Sequence, residues 1–391
     1  MKQIKIASRM QQISPFYVMD LLAQAKQLES LGHDVIHLEV GEPDFPTPQI
    51  ISSAAIQAIE SAKTKYTAAT GLPELKEKIA LYYRQRLNAN VAAKNIVITP
   101  GASGGLQLAL SVLVNSSQKV LMADPGYPCN RHFVRLLDAC AQTVAVDANT
   151  QYQLNHQLIE QNWQDSTVAV LIASPSNPTG TLISRDEMQK IIDVVRKKNG
   201  VLLVDEIYQG LVYDQGDYSA AELSSDVIVI NSFSKYFSMT GWRLGWLVVP
   251  DDFIEPIDRL AQNLFLAPAT ISQYAALSAF DDEVLKVLDA QREELNERRE
   301  FLLKGLTELG FEIDVKPGGA FYIYANVSRF TDDSFSFCND LLNKSYVAVT
   351  PGIDFGEYRA NQYVRFAYTQ NLKKLQMALD RISDFLTLYE H

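Results

Sequence analysis

The chain of 391 residues is long enough to bury a sizeable core and to form two to three domains, or one large α/β domain with a satellite. Hydrophobic residues make up 47% and charged residues 21%, which excludes a wholly disordered chain. A net charge of −11, spread along the sequence, leaves no basic face for non-specific nucleic-acid binding.

The start, MKQIKIASRMQQISPF, is basic but has neither the long apolar stretch of a signal peptide nor the Ser/Arg richness of a transit peptide. No run of about 18 apolar residues follows anywhere, so no membrane partner is expected. The three cysteines, Cys129, Cys140 and Cys338, are too few and too far apart for a disulfide framework or a C-x-x-C metal or redox site. These features predict a soluble, cytoplasmic protein with no resident metal. The segment with Ile13, Phe16 and Tyr17 reads either as a cover over a substrate or as a packing arm.

Between about residues 90 and 250, seven short β-branched runs end in turn residues: NIVITPG, KVLMADPGYP, QTVAVD, TVAVLIASPSNPTG, GVLLVDEIY, DVIVINSFSK and RLGWLVVP. Several are separated by stretches with helical spacing. Continuously apolar strands alternating with helices predict an α/β domain whose largely parallel sheet is covered on both faces. Ligands of such sheets bind at the carboxyl ends of the strands. After Asp281, dense charge with apolar residues at helical intervals predicts a long, half-exposed helix stopped at Gly310. Beyond it GGAFYIYANV and YVAVTPG read as strands and LKKLQMALDRISDFLTLYE as an amphipathic helix, together a smaller α+β unit.

Several strand ends carry polar residues. Gly101-Ala102-Ser103-Gly104-Gly105 follows the first run and opens an apolar helix, so its N–H groups and the helix dipole suit a phosphate. It lacks the spacing of a dinucleotide fingerprint and the Gly-Lys-Ser/Thr of a P-loop, which favours a single phosphate group. Asn177 lies in Asn-Pro-Thr-Gly, a turn signal in its own right. Asp205 closes VLLVD, either as a surface or capping carboxylate or as part of a site with Asn177 and Tyr208. Arg243 is a strand-edge charge or a phosphate partner. Arg365, in QYVRFAYT, has apolar and aromatic neighbours and needs an anion, for which a bidentate carboxylate is the best geometric match. Ser232-Phe233-Ser234-Lys235 matches the S-x-x-K of serine acylases, but the S-D-N and K-T-G elements of that class are absent from the sequence, and SSDV and KTK do not replace them.

Taken together, LEVGEPDFPTP, KYTAATGLPELKEKIA, TPGASGGLQLAL, DPGYP, SPSNPTG, VDEIY, SFSKYFSMTGWRLGW, PGGAFY, TPGIDFG and YVRFAYT resemble the class I and II aminotransferases, pyridoxal-phosphate enzymes of the aspartate aminotransferase fold. The resemblance implies a large domain at 46–285 with a mostly parallel seven-stranded sheet sandwiched by helices. It implies a smaller α+β domain built from an N-terminal arm, 1–45, and from 286–391. It makes Lys235 the lysine that carries pyridoxal 5'-phosphate and shuttles the substrate's α-proton, and Asp205 the partner of the cofactor's pyridine nitrogen. At about 3 Å and an effective dielectric near 20, that attraction is on the order of 5 kcal/mol.

By the same resemblance Asn177 and Tyr208 donate to the ring's phenolic oxygen, and Tyr127 stacks on the ring where many members have Trp or Phe. Ser103, Gly104, Ser232, Ser234 and Arg243 form the phosphate cup, with Tyr66 reaching the phosphate of a neighbouring subunit in a homodimer with shared sites. Gly41, Asn177 and Arg365 hold the α-carboxylate. The implied reaction moves an amino group from an L-amino acid to a 2-oxo acid by a ping-pong route. A carbon–sulfur β-lyase or aminocyclopropane-carboxylate synthase of the same fold is the alternative. QNLFLAPATISQ, without Lys or Arg, leans towards neutral or aromatic substrates.

Overall fold

A computed structural model describes residues 5–389; the first four residues of the basic start and the last two of the chain lie outside them. In chain order the strands are β1 (Ile36–His37), β2 (Ile96–Thr99), β3 (Lys119–Asp124), β4 (Cys140–Ala145), β5 (Thr167–Ala173) and β6 (Val201–Asp205). They continue with β7 (Ile228–Ser232), β8 (Gly245–Val248), β9 (Tyr322–Asn326), β10 (Val347–Ala348), β11 (Thr350–Pro351) and β12 (Tyr363–Ala367). The seven apolar runs become one seven-stranded sheet in the order β2-β8-β7-β6-β5-β3-β4. It is parallel except for β8, which runs antiparallel to both of its neighbours.

The alternation of side chains explains why the inner runs are nearly all apolar, whereas the edge strand β4 buries only Val144. Successive strand residues point to opposite faces, and here both faces are cores. Leu202 and Val204 enter one hydrophobic cluster while Leu203 enters another; Ile96 and Ile98 against Val97, and Trp246 against Leu247, divide in the same way. Helices cover each face. Burying such a Val, Leu or Ile is worth ~1.5–3 kcal/mol, so a polar substitution at any of them is disfavoured on either side of the sheet.

The long helix Asp282–Glu308 forms as the charge pattern predicts and stops at Gly310, whose φ of +90° suits a residue without a Cβ. Beyond it β9, β12 and β11 make a three-stranded antiparallel sheet, and a helix spans Leu372–Tyr389. YVAVTPG is not one strand but two. Its first half, β10, pairs parallel with β1, and its second half, β11, pairs with β12. At the break Leu38 links β10 to β12: its N–H donates to Ala348 O and its carbonyl accepts from Ala367 N. The helix Tyr17–Ser30 packs Leu21 and Ala25 on Ala348 and Leu342, so N-terminal and C-terminal segments share a cluster. Among the described residues no helix is long and apolar enough to cross a membrane, and no group of three or more His, Cys, Asp or Glu is placed to hold a metal ion.

Candidate active site

The parallel strands end on one side of the sheet, and a cavity of about 300 Å³ opens there. Its wall includes Ser103, Tyr127, Asn177, Asp205, Tyr208, Ser234, Lys235, Arg243 and Arg365, with Gly41 beside them. Segments more than 300 residues apart are thereby brought to one point, as the strand-end rule requires.

Asp205 closes β6 and is 5% exposed. Its Oδ1 accepts the N–H of Ile207 at 3.1 Å, and among the described residues no salt bridge engages it. Burial raises its pKa to about 6, against the opposing pull of that N–H and of Lys235. Lys235 lies just beyond β7, with Nζ donating to Gly41 O at 2.7 Å and 5.8 Å from the centre of the Tyr208 ring. Removal from water lowers its pKa to about 8; Glu42 and Asp205 oppose that fall, and Arg365 and Arg243 add to it. A buried carboxylate without a cation therefore faces the same cavity as a lysine that sheds its proton easily.

Arg365 sits in the middle of β12, opposite Thr350 of β11 and Tyr324 of β9. It is 4% exposed. Nη1 donates to Asn177 Oδ1 at 2.9 Å, and Nη2 to Glu39 O and, at 3.2 Å, to Thr350 Oγ1. Its guanidinium carbon lies 4.2 Å from the centre of the Tyr322 ring and 4.8 Å from that of Phe355. Nε has no partner. A guanidinium so desolvated has its orientation fixed and donor capacity left for an anion. With its Oδ1 taken by Arg365, Asn177 keeps both amide N–H donors unengaged among the described residues. Tyr208 and Tyr322 share a hydroxyl–hydroxyl hydrogen bond of 2.9 Å. Gly41 is sterically required, since a Cβ there would lie 1.9 Å from the Tyr322 hydroxyl oxygen.

At the other end, Ala102 and Ser103 of the first turn of the helix Gly101–Leu113 line the cavity, the turn in which N–H groups lack intrahelical acceptors. Arg243 stands against that turn: a Cβ on Gly101, which has φ +68°, would meet its Nη2 at 2.7 Å. Ser234 lines the wall, whereas Ser232 and Gly104 stand one layer behind it. Ser232 is 1% exposed, and its Oγ accepts from Ser234 N at 3.0 Å and donates to Leu244 O at 3.1 Å. It shapes the turn, and a buried hydroxyl with no base beside it does not serve as a nucleophile. Tyr66 is not brought to this cavity; it is 81% exposed. Residues that sequence reasoning did not single out as site groups are Glu39, Glu42, Tyr322 and Thr350. Glu39 acts through its backbone carbonyl, which no side-chain pattern announces. Tyr322 lay within PGGAFY, a segment whose resemblance to the family marked it but assigned no site role to this residue.

The description "Aminotransferase class I and II" matches residues 33–382. The chain belongs to the class I and II aminotransferases. It is 39% identical to the (5-formylfuran-3-yl)methyl phosphate transaminase of Methanocaldococcus jannaschii, over 97% of this chain and 99% of that one. It is 36% identical to the valine–pyruvate aminotransferase of Mycobacterium tuberculosis, over 96% and 97% respectively. The crystal structure of an aminotransferase from Mycobacterium tuberculosis superimposes with a TM-score of 0.95 over 99% of this chain and 100% of that chain, at 36% identity. The protein is thus a transferase of amino groups with the aspartate aminotransferase fold, in a family that is pyridoxal-phosphate dependent in general. The lyase or synthase reading is not favoured by relatives named as transaminases.

Proposed function

We propose that this aminotransferase holds pyridoxal 5'-phosphate in the cavity and passes an amino group from an L-amino acid to a 2-oxo acid by a ping-pong route. We propose further that it works as a cytoplasmic homodimer with shared sites, built from an arm (1–45), a large domain (46–285) and a small domain (286–391). The observation that carries the reading is the pairing of Asp205 and Lys235 in one cavity: a buried carboxylate without a cation, and a lysine whose pKa falls to about 8. The residues fit the group. Asp205 suits a protonated ring nitrogen, and the first turn of Gly101–Leu113 with Ser103, Ser234 and Arg243 suits a phosphate. When bound, the cofactor supplies an electron sink for the amino acid's α-carbon.

The chain's own residues supply the rest. Lys235 Nζ provides the attachment point and then takes and returns the α-proton. Asp205 keeps a proton on the ring nitrogen. Asn177 and Tyr208 direct donors at the phenolic oxygen, and Tyr127 offers an aromatic face. Arg365, held by Asn177, Glu39 O and Thr350, binds the α-carboxylate next to Gly41.

The test is direct. Borohydride reduction of the protein loaded with pyridoxal phosphate should fix the cofactor to the peptide containing Lys235, read by mass spectrometry, and Lys235→Ala should lose turnover by several orders of magnitude. Full activity in Lys235→Ala would sink the reading. A spectral screen of half-reactions with single amino acids then identifies the donor.

A further inference from the structure

Arg365 is steadied on one side by a single backbone carbonyl. Glu39 O accepts from Arg365 Nη2 and, at 3.1 Å, from Thr350 Oγ1, so the peptide unit of Glu39 helps to set where the guanidinium points. Whatever fixes Glu39 therefore acts on the α-carboxylate site.

The side chain of Glu39 is 0% exposed within its own chain, before any second subunit is considered. Its Oε1 lies 2.7 Å from Nδ1 of His37, and its Oε2 is buried without a partner. Among the described residues His37 is the one ion-pair partner Glu39 has. Between the two, Leu38 pins the backbone through its bonds to Ala348 and Ala367.

His37 has a carboxylate at each ring nitrogen, since Nε2 lies 3.2 Å from Oε1 of Glu29 on the helix Tyr17–Ser30. A neutral imidazole has one N–H and one lone pair, so it satisfies one carboxylate and repels the other. Both contacts hold together only when the three groups carry one proton more than a neutral imidazole between two carboxylates. The hydrogen bond to Glu39 raises the pKa of His37 above the ordinary 6.5 against its partial burial, and Glu29 adds to the rise. The neighbouring elements leave that balance in place. β10 sets Ala348 opposite His37, His33 is stacked on Tyr346 with ring centres 4.4 Å apart, and Arg381 of the terminal helix is engaged by Asp34 Oδ2 at 2.8 Å.

We propose that His37 is a positioning residue of the α-carboxylate site: as the protonated partner of buried Glu39 it holds the Glu39 carbonyl on Arg365, and amino-acid binding weakens when that proton is lost. The proposal rests on the assignment of Arg365 to the α-carboxylate. The contribution is complete below pH 6.5 and disappears as pH rises through the raised pKa of His37.

Variants of the enzyme loaded with pyridoxal phosphate separate this role from a merely structural one. His37→Ala leaves Glu39 buried and unpaired, and KM for the amino donor should rise about tenfold, more than kcat falls. His37→Gln keeps one N–H for Glu39 at any pH and should raise KM only about threefold. Glu39→Gln has no charge to balance, so its KM should match the wild type at pH 6, and the wild-type value should climb about threefold above it by pH 9. Titration of Lys235 and of the substrate amine is common to both proteins and cancels in that ratio. Adding Glu39→Gln to His37→Ala should restore most of the lost affinity. Histidine-ring NMR of the protein without cofactor, with His37 assigned by its loss in His37→Gln, should give a midpoint above 6.5 that falls in Glu39→Gln.

If His37→Ala does not fold, the wild-type to Glu39→Gln ratio and the NMR midpoint decide without it. A constant ratio from pH 6 to pH 9, a midpoint at or below 6.5, or an unchanged KM in His37→Ala overturns the role of His37. An unchanged KM in Arg365→Ala instead removes the site assignment and the proposal with it, whereas a raised KM there with no effect of His37→Ala strikes His37 alone.

Discussion

Lys235 owes its reactivity to where the chain places it. Burial beyond β7 lowers its pKa from 10.5 to about 8, so at pH 7 roughly a tenth of the amine is neutral, against well under 0.1% for an ordinary lysine. The neutral form is the one that would hold pyridoxal phosphate through its carbonyl, and it becomes the majority only above the lowered pKa. Uptake of pyridoxal phosphate by the apoprotein, followed by absorbance, should therefore accelerate through pH 8 and level off above it; a rate still climbing tenfold per unit to pH 10 would contradict the shift. Asp205 behaves in the opposite sense. Its raised pKa of about 6 means that the carboxylate available to a ring nitrogen is lost as pH falls below that value. Asp205, Asn177 and Arg243 stood out at strand ends with plainer readings still open, and it was the family resemblance that implied roles for them and for Lys235. Glu39 did not stand out, because it works through a backbone carbonyl on a partner 326 positions away, and Thr350 did not, because only the pairing of β11 with β12 sets it opposite Arg365. For Arg365→Ala, a higher KM for amino acids is expected, since a desolvated two-point carboxylate contact disappears. An unchanged KM and kcat would remove Arg365 from the site.

At the scale of elements, the inner strands of the sheet were legible because both of their faces are buried and most positions are apolar, while the edge strand β4, with only Val144 buried, was marked by its β-branched residues and its turn. The two-residue strand β1 was hidden, since two residues carry no period, whereas β10 and β11 were read together as the one strand YVAVTPG and only the break between them was missed. The long helix Asp282–Glu308 was recognisable but only partly understood. Its charge reads as a solvated face, yet Arg298 and Arg299 are 2% and 0% exposed. Arg298 donates to Asp44 at 2.7 Å, to Thr369 O at 2.7 Å and to Glu294 at 2.6 Å. Arg299 grips Asp214 through two hydrogen bonds of 2.9 and 2.8 Å and donates to Pro317 O. The helix is thus tied through Arg298 to the segment that follows Gly41 and to Thr369, two residues beyond the strand that carries Arg365. Arg298→Ala should lower the free energy of unfolding by about 3 kcal/mol, the low end for a broken buried pair because Asp44 and Glu294 keep part of their water. Urea denaturation measures this. Lys304→Ala, which removes an exposed partner of Glu308, is the control and should leave the midpoint in place.

For the whole molecule, the position of Tyr66 is the informative feature. It is 81% exposed and outside the cavity of its own chain, and Ile56, Ile59, Leu264 and Leu266 are each more than half exposed. An aromatic residue so placed serves a phosphate site only if a second copy brings it there, as the homodimer proposed above requires. Tyr66→Phe removes one donor to a charged group, an interaction worth about 1.5–3 kcal/mol, so cofactor retention should weaken at least tenfold. Mixed dimers decide whose site loses it. Combining Lys235→Ala chains with Tyr66→Phe chains produces hybrids in which, if Tyr66 crosses the interface, one site carries both defects and the other carries none. That second site should bind cofactor with wild-type affinity and show half the wild-type activity per dimer at limiting pyridoxal phosphate. If Tyr66 serves its own chain, every site in the hybrid is defective and limiting cofactor reveals no high-affinity class. Titrating the purified hybrid with pyridoxal phosphate separates the two outcomes, because a full-affinity site can arise only from an intact Lys235 in one chain and an intact Tyr66 in the other.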